Sequence, residues 1–121
     1  MGTFENHKNL YLKLKKDAEI ESLSIPSRVE LYFLSIFHLI ESCAAKNMTH
    51  INKHQNIRKI LEDNKTIFKE ETETIWKLFQ KVENKLRPKF SYGFSWTEED
   101  FKAIKDVFLK LEEICLQVLK N

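Results

Sequence analysis

The segment VELYFLSIFHLI, from Val29 to Ile40, decides the fold of this chain. Its apolar residues occupy nearly every side of a helix, and such a helix must be covered by neighbours on several sides. Just upstream, Pro26 precedes Ser27 and Glu30, whose spacing predicts a capping box at the helix start. We therefore expect a central helix that runs to about Lys46 and that other helices surround.

Four polar side chains interrupt the apolar surface of this helix. At about 100° per residue they fall on one side of it. They are Arg28, Ser35, His38 and Ser42. Two interpretations stay open, in which this side either lines a groove or forms the exposed strip of the helix.

Helical periodicity continues on both sides of the central helix. A first helix is predicted from Thr3 to Glu21, with apolar positions at spacings of three and four. These positions are Phe4, His7, Tyr11, Leu14 and Ala18. After a connection over 47–51, a shorter helix is predicted from Asn52 to Asp63, and Asn64 is a suitable terminator.

Two further helices are predicted towards the C-terminus. The fourth runs from Glu70 to about Arg87, because Pro88 disfavours helical geometry in the residue before it. A loop over 88–96 follows, and Thr97 with the acidic residues after it supplies an N-cap for the last helix. The apolar seam of that helix comprises Phe101, Ile104, Phe108, Leu111, Cys115 and Val118.

Composition supports one helical domain over residues 1–121. The chain is 42% hydrophobic and 31% charged, which excludes a largely disordered protein. It contains two glycines and two prolines, too few for the repeated tight turns of an all-β fold. The predicted fold class is therefore all-α, an antiparallel bundle of four to five helices. The apolar central helix and the terminal seam also predict a homodimer.

Charge and cysteine content restrict the function classes. The net charge of +2 is far from the basic excess of a dedicated nucleic-acid binder. Cys43 and Cys115 have no metal-site or disulfide-framework spacing and are expected to be buried thiols. No apolar run matches a signal peptide or a membrane span, so we expect a cytoplasmic protein that does not contact membranes.

Three groups of side chains are candidates for chemistry. His50 and His54 with His38 and Glu41 offer metal ligands, but their spacing matches no metal motif, and we expect no metal. The basic stripe Lys77, Lys81, Lys85 and Lys89 is interleaved with acids, which favours a solvated face. The alternating aromatics Phe90, Tyr92, Phe94 and Trp96 favour covering one end of the core over stacking on a base. Nucleophile motifs and phosphate-binding glycine loops are absent, and no cofactor is expected.

The order of features near the C-terminus resembles the HEPN superfamily of small helical-bundle proteins. The matching stretches are LFQKVENKLR from Leu78 to Arg87, FSYG from Phe90 to Gly93, and TEED from Thr97 to Asp100. Members of that superfamily often carry an arginine at a helix end, a tyrosine-glycine pair shortly after it, and a capped final helix.

The earlier part of the chain carries the same resemblance. The segment from Leu34 to Ala45, followed by His54 and Arg58, is similar to the central helix and histidine-rich segment of many members. HEPN ribonucleases place a histidine a few residues after the arginine, where the two groups stabilise phosphate charge and move protons. Here Arg87 is followed by no such histidine, and Tyr92 stands in the place where it is expected. A phenol with an ordinary pKa of about 10 transfers protons poorly at neutral pH.

The resemblance therefore implies a non-catalytic HEPN-like domain that binds a nucleotide, RNA or a protein partner. It also implies membership of a toxin-antitoxin or stress-related pair with a nucleotidyltransferase-type partner. The candidate ligand-binding residues are Arg28, His38, His54, Arg58, Arg87 and Tyr92. One alternative is a metal-independent ribonuclease that uses Arg87 with His38 or His54, and another is a purely structural interaction module.

Overall fold

The computed structural model describes residues 3–92 and 95–120, and the predicted all-α class is confirmed over these residues. The helices are α1 (Phe4–Ala18), α2 (Ile25–Lys46), α3 (Ile57–Asp63), α4 (Thr72–Lys81), α5 (Arg87–Ser91) and α6 (Glu98–Lys120). Short 3₁₀ turns, His54–Asn56 and Lys69–Glu71, precede α3 and α4. None of the helices in the described ranges combines the length and apolar character needed to cross a bilayer.

Helices α1 and α2 run antiparallel to each other, in agreement with the predicted bundle. Contacts between α1 and α2 pair Ala18 with Arg28 and Tyr11 with Ser35, so residue numbers rise on one helix as they fall on the other. Between α2 and α6, by contrast, Cys43 contacts Cys115 and Lys46 contacts Val118. Helices α2 and α6 therefore run parallel to each other within the bundle.

Helix α2 is central, as predicted. Its buried residues lie on nearly all sides, and α1, α4, α5 and α6 each contact it. The predicted seam of α6 packs into the same core, with Val118 half-buried at its end. Within the described residues, Leu34 is the one large apolar residue of α2 that is exposed, with 38% of its surface accessible to solvent. The bundle of a single chain thus covers the apolar surface on which the homodimer prediction relied.

The polar side of α2 is neither a groove nor an exposed strip, and both interpretations were wrong. Arg28 donates from Nε to the Ala18 carbonyl at 2.8 Å, and Ser35 donates from Oγ to the Tyr11 carbonyl at 2.9 Å. His38 meets a histidine of α1, while Ser42 is buried and donates to its own helix. This side faces α1, because short polar groups satisfy one another where two helices approach closely.

Two predicted helix boundaries were also wrong. Ser24, rather than Ser27, caps α2 by accepting from the Ser27 N–H at 3.3 Å, and Glu30 is used for another contact. Pro88 does not end the fourth helix, since the helical path continues from Arg87 to Ser91.

The residues before Pro88 explain how the chain passes it. Val82–Leu86 forms a π-helical turn, and the Arg87 N–H bonds to the Val82 carbonyl. A new α-helical turn then begins, in whose first positions a proline loses no hydrogen bond. The predicted capping of α6 is confirmed, because Thr97 Oγ1 accepts from the Asp100 N–H while Asp100 Oδ2 accepts from the Thr97 N–H.

Candidate functional site

Arg87 is anchored to α2 by a two-point contact with Glu30. Its Nε donates to Glu30 Oε1 at 2.7 Å, and its Nη2 donates to Oε2 at 3.1 Å. The guanidinium carbon lies 4.3 Å from the centre of the Phe33 ring, one helical turn further along α2. Ser91, at the end of α5, donates a third hydrogen bond to Glu30 at 2.8 Å. The π-helical turn therefore sets α5 so that both Arg87 and Ser91 point at the same carboxylate.

These contacts control the ionisation of Glu30. Partial burial of the carboxyl favours its neutral form, but the hydrogen bonds from Arg87 and Ser91 outweigh burial and lower the pKa of Glu30. Glu30 is consequently ionised at neutral pH. It neutralises the charge of Arg87 and fixes the plane of its guanidinium.

His54 reaches the same aromatic ring from another direction. Its ring lies edge-on to Phe33, with centroids 5.2 Å apart, and edge-on to Phe37 at 6.0 Å. Its Nδ1 contacts Glu83 Oε2, so a carboxylate from the π-helical turn orients the imidazole. We call this group of five side chains around Phe33 the Phe33 cluster: Glu30, His54, Glu83, Arg87 and Ser91.

The structure brings two of the predicted site residues together and leaves four elsewhere. Arg87 and His54 share Phe33, as described. Arg28 lies two positions from Glu30 on α2 and therefore faces other neighbours, with its guanidinium 5.0 Å from the ring of Phe101. Arg58 lies over Trp76 at 4.2 Å and pairs with Glu62 on the exposed face of α3.

The other two predicted residues also lie apart from that pair. Tyr92 follows α5 and is 72% exposed, and His38 joins a different cluster. The described residues therefore do not bring Arg28, His38, Arg87 and Tyr92 together in one groove.

The basic stripe and the aromatic run behave largely as the solvated-face and core-covering interpretations predict. Lys77 pairs with Glu73, and Lys89 bonds to Asp100 at 2.9 Å. Phe90 is buried and packs on Trp96, with centroids 5.2 Å apart, so both cover one end of the core. Gly93 and Phe94 lie outside the described residues.

A second cluster lies at the α1–α2 contact and comprises His7, His38 and Glu41. His38 and Glu41 are one turn apart on α2, and His7 lies opposite them on α1. Their Nδ1, Nδ1 and Oε1 atoms converge, and among the described residues these are the ones grouped closely enough to hold a metal ion. Burial is the main cause that lowers the pKa of His7, which favours a neutral imidazole at pH 7.

His7 was not predicted as a functional residue because its position falls on the apolar stripe of α1. A buried histidine on such a stripe needs a polar partner, and His38 on the polar side of α2 was the available signal. Glu30 was missed because its spacing from Ser27 favoured a capping role. Pairing of Glu30 with Arg87, 57 positions away, left no local signal in the sequence.

A surface depression of about 520 Å³ lies away from both clusters. It is bounded by the end of α2, the segment 66–71 and the last turns of α6. Both acidic and basic side chains line it, and no candidate residue predicted from the sequence lies among them.

Comparison of the chain with protein-family models, with curated proteins and with solved structures found no match.

Proposed function

We propose that this chain is a HEPN-like binding domain that holds a phosphate group of RNA or of a nucleotide at the Phe33 cluster. The observation that supports the proposal most directly is that Arg87 and His54 flank the same ring, Phe33. Both side chains suit phosphate oxygens, since the guanidinium fork matches their geometry and an imidazole donates a further hydrogen bond. The side chain of Arg87 is 26% exposed, so a ligand can approach it from solvent.

Glu30 is compatible with this role although it neutralises Arg87. A guanidinium carries five N–H donors, and the contact with Glu30 uses one on Nε and one on Nη2. The remaining donors stay in the plane that Glu30 fixes. Preorganising an arginine in this way reduces the side-chain entropy that is lost when a ligand binds. Glu30 and Glu83 offset the positive charge of Arg87 within the cluster, which predicts weak binding of an anion.

The alternative is a metal-independent ribonuclease, and one observation favours His54 over His38 as its histidine. His54 lies beside the ring that Arg87 covers, whereas His38 points towards α1. Glu83 contacts His54 Nδ1 and would orient the opposite nitrogen for proton transfer. In this alternative His54 accepts the proton of the ribose 2′-hydroxyl as its oxygen bonds to the adjacent phosphorus. The bond from phosphorus to the 5′-oxygen of the next nucleotide breaks, and that oxygen takes a proton from the protonated His54 or from water. Arg87 stabilises the charge that develops on the phosphate.

A matched pair of arginines tests the proposal. Arg58 also stacks on an aromatic ring and also pairs with a glutamate, but on a different face. We expect Arg87→Ala to weaken binding of labelled single-stranded RNA, or of a nucleoside triphosphate, by roughly tenfold, as the loss of a charge-assisted contact implies. Arg58→Ala should bind like the parent. Fluorescence anisotropy with RNA and calorimetry with the nucleotide distinguish the two phosphate sources.

Equal binding by the parent and Arg87→Ala would contradict the proposal and would favour a protein partner or a structural module. RNA cleavage by the purified parent, lost in His54→Asn and retained in His38→Asn, would instead support the ribonuclease alternative. A neutral asparagine keeps the size and polarity of histidine but cannot exchange a proton near pH 7.

The homodimer and the nucleotidyltransferase-type partner are further parts of the proposal. The partner rests on the sequence resemblance, and the homodimer rests on exposed apolar side chains outside the core. Apolar side chains available to a second copy include Leu10 and Leu12 on α1 and Leu109 and Leu116 on α6, all of which are exposed. Light scattering at tens of micromolar protein should give the mass of a dimer. A monomer mass would remove this part of the proposal and leave the site at Phe33 unaffected.

A further inference from the structure

The three ligand atoms at the α1–α2 contact form a nearly equilateral triangle. His7 Nδ1 and His38 Nδ1 are 3.1 Å apart, His38 Nδ1 and Glu41 Oε1 are 3.0 Å apart, and His7 Nδ1 and Glu41 Oε1 are 3.4 Å apart. The two imidazole rings are stacked, 5.3 Å between centroids and inclined by 26°. All three atoms therefore lie close enough together to contact one common ion.

Hydrogen bonding alone leaves this arrangement incomplete. Two facing Nδ1 atoms can share one proton, but that proton does not satisfy the carboxylate beside them. Glu41 Oε1 is buried and has no aligned hydrogen bond to any described group, although both nitrogens lie within 3.4 Å of it. Glu41 is only 8% exposed, and an ionised carboxylate at such burial is costly unless a cation or donors compensate it.

The spacing matches what a metal ion requires of three ligands on one side. With bonds of about 2.0–2.2 Å, neighbouring ligand atoms lie about 3.0 Å apart at right angles and about 3.3–3.5 Å apart in a tetrahedron. The three observed separations span this interval. Two imidazoles and one carboxylate are a donor set used by zinc and by other divalent ions of the first transition series.

We propose that His7, His38 and Glu41 bind a divalent transition-metal ion, with zinc as the best-suited candidate. The site shares no ligand residue with the Phe33 cluster, although the Phe37 ring contacts both His38 and His54. Three protein ligands leave further coordination positions for water or for a substrate atom, as in catalytic zinc sites. His38 is the most exposed of the three ligands, with 22% of its side chain accessible, so solvent can approach the site beside His38.

The site also links two helices through one ion. His7 comes from α1, while His38 and Glu41 come from α2, and the ion would tie α1 to the central helix. A metal that binds the folded chain but not the unfolded chain stabilises the fold. Zinc should therefore raise the melting temperature of chelator-treated protein, and the chelator should reverse the increase.

Direct binding separates this proposal from a simple hydrogen-bonded cluster. Chelator-treated full chain is titrated with Co²⁺, whose visible absorption reports coordination geometry, and Zn²⁺ is then added to displace it. We expect stoichiometric binding by the parent and at least about tenfold weaker binding by His7→Asn, His38→Asn and Glu41→Gln. The matched control is His54→Asn, which removes the histidine of the other histidine–glutamate pair and should bind Co²⁺ like the parent.

A measurement on the parent protein alone tests the site even if the variants fail to fold. Imidazole nitrogen spectra of the parent should show zinc-dependent shifts at Nδ1 of His7 and His38, with smaller changes at His54. Binding of equal strength by the parent and His38→Asn would overturn the proposal. Zinc-induced shifts confined to other histidines would overturn it as well.

Discussion

The Arg87 guanidinium donates two hydrogen bonds to the carboxylate of Glu30, which lies 57 positions earlier in the chain. This pair fastens α5 to the first turns of α2 and holds the guanidinium against Phe33. The contact is therefore structural in its own right, and any ligand role of Arg87 is added to it. Experiments on Arg87 must measure stability and binding separately.

The first prediction concerns the coupling of this pair. Arg87→Ala should lower the free energy of unfolding by about 1–2 kcal/mol, because Glu30 loses two charge-assisted hydrogen bonds in a partly exposed setting. Glu30→Gln should cost a similar amount. In urea denaturation the double variant should cost less than the sum of the single variants by about 1 kcal/mol. Strict additivity would show that the pair contributes nothing in solution.

The second prediction concerns the acid dependence of stability. Because the folded state lowers the pKa of Glu30, the unfolded state binds more protons in that range, and stability rises with pH there. The contribution should be present above the ordinary carboxyl pKa of 4.5 and should be lost as pH falls through the lower folded-state pKa. Between about pH 6 and pH 3, the melting temperature of Glu30→Gln should fall less with decreasing pH than the melting temperature of the parent. Arg87→Ala should reduce the pH dependence of the melting temperature over the same range. If both variants showed the pH dependence of the parent, the prediction would be contradicted.

The third prediction concerns the buried contact between α1 and α6. Tyr11 donates from Oη to Glu112 Oε2, and Lys15 Nζ lies 2.8 Å from the same oxygen. Tyr11 and Glu112 are both buried, and burial is the first cause that raises the pKa of Tyr11. Tyr11→Phe should destabilise the fold by about 1–3 kcal/mol, because a buried carboxylate loses one of its two donors and keeps only Lys15.

Tyr92→Phe is the matched control for Tyr11→Phe. It removes the same hydroxyl from an exposed side chain and should change stability by less than about 0.5 kcal/mol. Equal melting temperatures for the two variants would show that the Tyr11 hydroxyl makes no net contribution.

The fourth prediction concerns the turn after α2. The Met48 N–H bonds to the Ala45 carbonyl and the Thr49 N–H bonds to the Ala44 carbonyl, the pattern of a Schellman cap. Met48 occupies the left-handed position of that cap, with φ of 62°, and its side chain is 90% exposed. Met48→Gly should therefore stabilise the protein by about 0.5–1 kcal/mol, because glycine adopts this backbone conformation without steric cost.

Met48→Ala tests whether the backbone is the cause of that gain. Alanine also shortens the side chain but retains Cβ, so it should give little or no stabilisation. A gain of equal size in both variants would place the cause in the exposed side chain.

Local patterns predicted the helices well wherever the relevant chemistry is close in sequence. Thr97 and Asp100 cap α6 through contacts three residues apart, and the spacing of the α6 seam reports its buried face directly. Local patterns did not predict that the helical path continues through Pro88. This continuation depends on a π-helical turn, which the packing of Val82 and Leu86 into the core accommodates.

The residues of the candidate sites also differ in whether the sequence could identify them. The sequence identified Arg87 and His54 because arginine and histidine carry recognisable chemistry. It named His38 and Glu41 as possible metal ligands together with His50 and His54, although no metal was expected. It did not identify their partners. Glu30 and His7 act through contacts 57 and 31 positions distant, for which one sequence offers no spacing rule.

The sequence by itself determined that this chain folds as an all-α bundle around the segment from Val29 to Ile40. Periodicity and caps act within a few residues, and burial of an apolar face needs no particular partner. Only the tertiary structure decided that Arg87 pairs with Glu30 and that His7 meets His38 and Glu41. Hydrogen bonds and ligand triangles depend on separations of a few tenths of an ångström, which only the relative placement of packed helices fixes.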